Sequence, residues 1–129
     1  MKELLCVFLG GGAGSVVRFM ASLLWRHFSL HPRFEQSLMP WPTLAVNVVG
    51  CFLIGLFYVH GERLGLSDEV RLLLTTGFCG GLTTFSTFSF ETVTLVHHGY
   101  FGTAVAYVCL SLLIGLMAAF SMILFNHNV

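Results

Sequence analysis

The chain has 129 residues, of which 56% are hydrophobic and only 9% are charged, and its mean hydropathy is +0.85. These values are typical of a single-domain integral membrane protein. Six basic and six acidic side chains cancel, so the composition offers no basic surface for nucleic acid.

Four apolar segments approach the length of about 20 residues that a helix needs to cross a lipid bilayer. They run over residues 4–25, 43–58, 70–96 and 101–125, and they predict one all-α, four-helix transmembrane domain over residues 1–129. Polar loops at 26–41 and 60–69 and a tight turn around Gly99 separate them; the role of the first loop stays open. Because the first segment shows no evident cleavage site, we expect it to remain as a helix.

The first segment carries small residues at helix-packing spacing. Gly10, Gly14, Arg18 and Ser22 form one i, i+4 row, and such rows allow helix backbones to approach closely in lipid. Arg18 shares this face, so we expect it to point into the protein. Two interpretations of Arg18 stay open: an electropositive contribution to an anion path, or a structural arginine bonded to backbone carbonyls.

The second segment contains one strongly polar side chain, Asn47, on a face shared with Thr43, Gly50 and Cys51. Its amide can donate two hydrogen bonds to an anion or can bridge two helices. The sequence alone does not separate these two roles.

The third segment contains TTGFCGGLTTFSTFS over residues 75–89, of which ten are Gly, Ser or Thr. Irregular backbone at membrane depth persists only where it is buried in protein or lines a cavity. We therefore expect a helix broken in mid-span, at an ion or substrate site. Phe85 and Phe88 lie one turn apart beyond the break, either as packing residues or with their positive ring edges on an anion path. Glu91, one turn further on, is interpreted as a helix-end or interface residue.

The fourth segment repeats the small-residue pattern in Ser111, Gly115 and Ala119. Tyr107 and Ser111 are spaced i, i+4, on a face that could meet the polar row of the third segment. The four cysteines are scattered through apolar runs without a C-x-x-C pair, so we interpret them as small packing residues. No hydrolase-like set of Ser, His and Asp and no paired carboxylates lie within the segments, so we do not expect an enzyme.

The orientation signal of the loops is nearly balanced. The side of the membrane with both termini and the second loop holds Lys2, Arg63 and Arg71, while the opposite side holds Arg26 and Arg33. Because the Lys and Arg bias sets orientation, so small a difference predicts that copies insert both ways and pair as an antiparallel homodimer. The alternative is that one orientation prevails.

Three motifs of the chain strongly resemble the Fluc fluoride channels, also called the CrcB family. They are GGGAGSVVRF from Gly10, PTLAVNVVG from Pro42 and GFCGGLTTFSTFS from Gly77. The resemblance covers all four segments in order. It implies an antiparallel dual-topology homodimer in the bacterial inner membrane, with two anion pores and a central sodium ion, which passively exports fluoride from the cytoplasm and so relieves fluoride toxicity.

The resemblance also implies roles for individual residues. Phe85 and Phe88 correspond to the paired phenylalanines that contact fluoride, and Asn47 to the pore asparagine. The family's first-helix arginine and a row of pore hydroxyls correspond to Arg18, Thr87, Tyr107 and Ser111. Gly80 and Thr83 correspond to the residues whose backbone carbonyls bind sodium at the two-fold axis. The chain departs from some relatives at Gly115, where they place a further serine that would lengthen the polar row.

Two other functions compete with a channel. A small proton-coupled multidrug exporter would also be a four-helix, dual-topology protein, but it needs a membrane-embedded carboxylate, and after Glu3 no acidic residue follows until Glu35. A non-transporting membrane subunit would explain the rows of small residues but not the Gly, Ser and Thr content of residues 75–89.

Overall fold

The computed structural model describes residues 1–29, 38–61, 63 and 65–127, so residues 30–37 of the first predicted loop lie outside the described residues. Three long helices are α1 (Lys2–Ser29), α2 (Trp41–His60) and α6 (Phe101–His127). Between α2 and α6 the chain forms α3 (Asp68–Leu72), a π-helical segment (Leu73–Cys79), α4 (Gly80–Leu82) and α5 (Phe85–His97). No strand occurs in the described ranges, which confirms the all-α prediction.

Three helices of the described part are long and apolar enough to cross a membrane: Lys2–Phe28, Trp41–His60 and Phe101–Met122. The third predicted segment is not among them because none of its helices reaches 18 residues. Its α-helices are separated by the π-helical segment and by extended backbone at Thr83 and Thr84. The helix break expected from the Gly, Ser and Thr content is therefore confirmed, because the helical backbone is interrupted at these residues.

Local signals explain where the shorter helices begin and end. The Ser67 hydroxyl caps α3 by accepting the Val70 N–H over 3.4 Å, and the Thr84 hydroxyl caps α5 by accepting the Thr87 N–H over 3.3 Å. At the other end of α5, Gly99 has a φ of 83°, a left-handed conformation that favours glycine. The turn expected around Gly99 is thus confirmed.

The glycine row of α1 packs directly against the π-helical segment and α4. A Cβ atom built on Gly14 would collide with the Phe78 carbonyl and would lie 2.7 Å from the Leu82 nitrogen. A Cβ atom on Gly10 would likewise collide with the Leu73 carbonyl. The predicted close approach along Gly10 and Gly14 is confirmed.

Helices α2 and α6 form the second close pair. A Cβ atom on Gly55 would lie 2.8 Å from the Ala119 carbonyl oxygen, so α6 approaches α2 at the small residue Ala119. Gly115 also lies on α6, and a Cβ atom built on it would lie 3.5 Å from the Cys51 sulfur of α2. All four cysteines are free thiols, as expected for packing residues.

The interior of the single chain is small, and its outer faces are apolar. Leu44, Leu95, Ala104 and Tyr107 form a compact cluster, and Tyr107 and Cys79 are the largest fully buried side chains of the described residues. Most large apolar side chains of α1 and α6 are exposed, as expected where lipid or another protein copy covers them.

Candidate functional site

The site is built around two extended residues between α4 and α5. Thr83 has φ and ψ of −80° and 156°, and Thr84 has −151° and 118°. Both the Thr83 N–H and the Thr83 hydroxyl donate to the Cys79 carbonyl, over 3.0 and 2.9 Å. These bonds fasten the start of the break to the preceding turn.

Asn47 of α2 pairs with the backbone of Thr84 through both ends of its amide. The Thr84 N–H donates to Asn47 Oδ1 over 2.7 Å, and Asn47 Nδ2 donates to the Thr84 carbonyl over 3.1 Å. The amide therefore satisfies the N–H and the carbonyl of Thr84, which are buried and have no partners within a helix, in the way that a neighbouring β-strand would. One Nδ2 hydrogen is left for another acceptor.

The side chain of Thr84 gathers two further hydroxyls at the start of α5. Thr84 Oγ1 donates to Thr87 Oγ1 over 3.0 Å and lies 3.3 Å from Ser86 Oγ. Only 7% of Thr84 is exposed, whereas Thr87 is exposed in the single chain. The polar row therefore leads from a buried break toward the surface.

An aromatic row runs from α5 to α6. The ring centroids of Phe85 and Phe88 are 5.9 Å apart, and those of Phe88 and Tyr107 are 5.0 Å apart, with tilted ring planes. The exposed fraction is 80% for Phe85 and 0% for Tyr107. Phe88 thus joins a surface ring to the buried cluster.

Glu91 lies at the far end of this row; the helix-end alternative of its sequence interpretation is wrong, whereas its contacts place it at an interface between helices. It lies in the middle of α5, where Thr43 Oγ1 donates to its Oε1 over 2.8 Å and the Tyr107 hydroxyl donates to its Oε2 over 2.7 Å. Hydrogen bonds to a carboxylate are among the stronger ones in proteins. Glu91 ties α2, α5 and α6 together.

The larger of two cavities beside these groups has a volume of about 560 Å³. Six of the residues predicted for the site line it: Asn47, Gly80, Thr83, Phe85, Phe88 and Ser111. The Ser111 hydroxyl oxygen is buried, and the described residues offer it no hydrogen-bond partner. A buried hydroxyl without a partner can serve a ligand or a water molecule.

A smaller cavity of about 250 Å³ lies on the other side of the break. Arg18 and Thr87 line it together with the hydroxyls of Ser15, Ser22 and Thr43. The Thr43 and Ser22 hydroxyls already donate to Glu91 and to the Arg18 carbonyl, so the positive charge of Arg18 is the main feature of this cavity that favours an anion. Thr84 lines both cavities and forms part of the wall between them.

The donor set near the break suits a hard cation better than a transition metal. Within residues 1–29, 38–61, 63 and 65–127, no three His, Cys, Asp or Glu side chains gather as a metal site. Gly80 and Thr83 line the larger cavity, and backbone carbonyl oxygens are ligands that hard cations bind. Both residues fit the sodium role that the resemblance implies.

The chain matches a known protein family along most of its length. A family model described as CrcB-like protein, Camphor Resistance (CrcB), matches residues 5–123. The chain belongs to the CrcB family.

Curated relatives of the CrcB family cover nearly the whole chain. A protein of Bacteroides fragilis named fluoride-specific ion channel FluC is 45% identical over 120 residues, 92% of this chain and 91% of the relative. A protein of the same name from Phocaeicola vulgatus is 43% identical over 117 residues, 91% of this chain and 92% of the relative. In Mycobacterium tuberculosis, fluoride-specific ion channel FluC 1 is 47% identical over 118 residues, 91% of this chain and 84% of the relative.

The structure brings this CrcB chain's predicted site residues into three groups rather than one. Six face the larger cavity, Arg18 and Thr87 face the smaller one, and buried Tyr107 contacts Phe88 between α5 and α6. Sequence reasoning did not identify Glu91 as a half-buried residue that bonds two other helices. The available signal was its spacing, since Phe88 and Glu91 are three residues apart and therefore share a helix face.

Proposed function

We propose that this chain forms a fluoride channel that lets fluoride leave the cytoplasm passively. The observation that carries the proposal is the 45% identity, over 92% of the chain, to a protein named fluoride-specific ion channel FluC. The polar and aromatic residues around the break support the same function, because they offer donors and ring edges to an anion. The two competing functions, a proton-coupled exporter and a non-transporting subunit, are not favoured by relatives with this name.

The larger cavity is the proposed anion path. Fluoride holds water tightly, so a selective path has to replace that water with closely placed donors. The free Nδ2 hydrogen of Asn47, the Ser111 hydroxyl and the ring edges of Phe85 and Phe88 are suitable replacements. Chloride is larger, and a narrow path excludes it.

Arg18 and Thr87 are proposed to act at the smaller cavity, as an electropositive approach to the path. A cation in a recess raises the local concentration of anions. Tyr107 would act differently from the other hydroxyls, because its only hydroxyl proton is donated to Glu91. Its ring supports Phe88, and its hydroxyl oxygen can accept a hydrogen bond from water.

The path needs a second copy of the chain. In the single chain, Phe85 is 80% exposed, and Gly80 is exposed beside open space. Exposed backbone carbonyls at membrane depth are costly, so another protein surface has to cover the break. With the nearly balanced loop charges, we propose an antiparallel homodimer with two anion paths.

The proposed dimer places four spans of each chain in the bacterial inner membrane as one domain of residues 1–129. The third span consists of α3, the π-helical segment, α4 and α5 in succession. Gly80 and Thr83 would hold a structural sodium ion at the two-fold axis through their backbone carbonyls. When bound, the ion supplies fixed positive charge between the two copies.

Passive export is sufficient for the proposed role. Hydrogen fluoride crosses membranes as a neutral acid and dissociates inside, which traps the anion. A membrane potential of 100 mV, negative inside, assists each exported fluoride ion by about 2.3 kcal/mol. No coupled reaction is required.

Efflux from liposomes tests the proposal. Purified protein is reconstituted into vesicles loaded with potassium fluoride or potassium chloride, and valinomycin starts anion release, which an ion-selective electrode records. We expect rapid fluoride release without a proton gradient and little chloride release. Fluoride release no faster than from protein-free vesicles would overturn the channel function, and release that requires an opposing proton gradient would favour an exporter.

A further inference from the structure

The hydrogen bonds at the helix break differ from those of a regular α-helix, and the proposed anion path does not explain the difference. In a continuous α-helix, the N–H of residue i+4 donates to the carbonyl of residue i. The Thr84 N–H would then bond the Gly80 carbonyl, and the Thr87 N–H would bond the Thr83 carbonyl.

Both N–H groups are bound elsewhere by side chains. The Thr84 N–H donates to Asn47 Oδ1 over 2.7 Å, and the Thr87 N–H donates to Thr84 Oγ1 over 3.3 Å. The carbonyls of Gly80 and Thr83 therefore lack the partners that a regular helix would give them. Asn47 and Thr84 thus each bind one N–H group that a regular helix would direct to a backbone carbonyl.

The neighbouring carbonyls differ from these two. The Cys79 carbonyl accepts both the N–H and the hydroxyl of Thr83. Gly81 and Leu82 do not line the larger cavity: a Cβ atom on Gly81 would contact Gly11 of α1, and Leu82 is 3% exposed. Within residues 79–83, only Gly80 and Thr83 combine a place on the cavity with a carbonyl released from the helix pattern.

Gly50 explains how α2 comes close enough for this arrangement. It lies one turn after Asn47, and a Cβ atom there would collide with the Thr83 side chain. The glycine lets the α2 backbone approach the break, so that the short Asn47 side chain spans the remaining distance to Thr84.

We propose that Asn47 and Thr84 are positioning residues for the sodium site: by binding the N–H groups of Thr84 and Thr87, they keep the Gly80 and Thr83 carbonyls available to the cation. The inference rests on the proposed function, from which the sodium site comes. Two copies would supply four such carbonyl oxygens, which suit a hard cation. Asn47 then serves both ions, with its Oδ1 acting on the cation site and its free Nδ2 hydrogen on the anion path.

Sodium-dependent thermal stability of the purified protein tests this proposal without measuring transport. Thr84→Val keeps the branched shape but loses the cap, and Asn47→Leu keeps the volume but loses both amide bonds. Thr84→Ser retains the capping hydroxyl. Thr94→Val is the matched control, because it removes a hydroxyl–carbonyl bond of 2.8 Å from the same helix, away from the break.

The quantity measured is the sodium concentration that gives half of the maximal rise in Tm, with potassium replacing sodium at constant ionic strength. We expect Thr84→Val and Asn47→Leu to raise this concentration by about tenfold or more, which corresponds to about 1.4 kcal/mol. Thr84→Ser and Thr94→Val should retain the wild-type value. A merely structural role would lower Tm without moving the sodium midpoint.

The outcomes separate this inference from the function on which it rests. Wild-type midpoints in both Thr84→Val and Asn47→Leu would overturn the positioning role and leave the sodium site intact. Absence of sodium protection in the wild type would overturn the sodium site itself, and the inference with it.

The wild type carries the test if the variants do not fold. Thr–Thr pairs occur only at 75–76 and 83–84, so carbonyl-13C, 15N-threonine labelling reduces the NMR spectrum to two doubly labelled peptide bonds, and Thr76→Ser removes the one that is not at the break. We expect sodium to shift the Thr83 carbonyl signal and the directly bonded Thr84 nitrogen together, while the hydrogen bond from the Thr84 N–H to Asn47 Oδ1 persists with and without sodium. A Thr84 N–H that leaves Asn47 Oδ1 for the Gly80 carbonyl when sodium is removed, seen as a change of its through-hydrogen-bond coupling partner, would contradict the proposal.

Discussion

Phe85 and Phe88 occupy different environments although they lie one helical turn apart. Phe85 is 80% exposed in the single chain, while Phe88 packs on the Tyr107 ring with centroids 5.0 Å apart. Replacing Phe88 therefore disturbs the buried cluster as well as the proposed path. Phe85 offers the cleaner test of an aromatic edge.

Phe85→Ile should lower fluoride efflux from liposomes by about tenfold or more, equivalent to about 1.4 kcal/mol in activation free energy. Isoleucine keeps the bulk but has no ring edge to face an anion. Phe90→Ile is the matched control, because Phe90 lies on the same helix, is 74% exposed and does not line the larger cavity. Equal efflux from both variants, with the dimer intact by size-exclusion chromatography, would return Phe85 to a packing role.

The Glu91 hydrogen bonds predict a stability effect. Tyr107→Phe leaves Glu91 Oε2 without the 2.7 Å bond, and it should lower the free energy of unfolding by about 1.5–3 kcal/mol, as expected for a bond to a charged group. Unfolding in lipid bicelles at fixed protein concentration measures the change. Tyr100→Phe, at a tyrosine that is 44% exposed, should leave stability unchanged. An equal effect at both tyrosines would show that the bond contributes nothing specific.

At the scale of residues, the sequence predicted which side chains lie at the site better than it predicted their hydrogen-bond partners. The motif placed Asn47, Phe85 and Phe88 in one site, and the structure shows all three on one cavity. It could not show that Asn47 binds Thr84, because the partners are 37 positions apart and no local periodicity records such a pairing. The sequence could not show the partners of Glu91 for the same reason, since both lie on other helices.

At the scale of elements, glycine contacts hold α1 against the broken segment. Gly10 and Gly14 face Phe78 and adjacent backbone, and a Cβ atom on Gly77 of the opposite surface would lie 3.0 Å from the Gly10 Cα atom. The spacing of Gly10 and Gly14 predicted a packing face. The facing glycines were not predicted, because a composition typical of a break does not indicate which of its residues pack and which line a cavity.

Two alanine variants of α1 test this packing. Gly14→Ala should lower the free energy of unfolding by about 1–3 kcal/mol, because its Cβ atom would meet the backbone of Phe78 and Leu82. Gly12→Ala is the matched control: nothing lies within 4 Å of its built Cβ atom, and alanine favours a helix by up to about 1 kcal/mol. The measurement is the same bicelle unfolding assay. A Gly14→Ala variant no less stable than Gly12→Ala would contradict the packing contact.

At the scale of the whole molecule, the described chain leaves functional groups on an outer face. The Phe85 ring and the Gly80 backbone face open space, and both line the larger cavity. An outer face with backbone acceptors is suited to protein rather than to lipid. In the proposed topology, three positive charges on one side and two on the other provide no strong orientation signal, so this face would be able to meet a copy of opposite orientation.

Complementary charge variants test the antiparallel arrangement. One variant adds two or three lysines to the loop between His60 and Glu69, and the other carries His97→Lys and His98→Lys at the exposed C-terminal end of α5. These positions lie on opposite sides of the membrane in the proposed topology. Because the Lys and Arg bias sets orientation, each variant should insert in one direction only, and the two directions should be opposite.

Each variant expressed alone should lose fluoride efflux by about tenfold or more, since copies in one orientation cannot pair about an axis in the membrane plane. Co-expression should restore efflux, because each variant then supplies the orientation that the other lacks. Restoration also controls for misfolding, since two unfolded variants could not form a working pair. Full efflux from either variant alone, with a single orientation verified by labelling of cysteines placed in the loops, would contradict the antiparallel dimer and require a parallel or monomeric path.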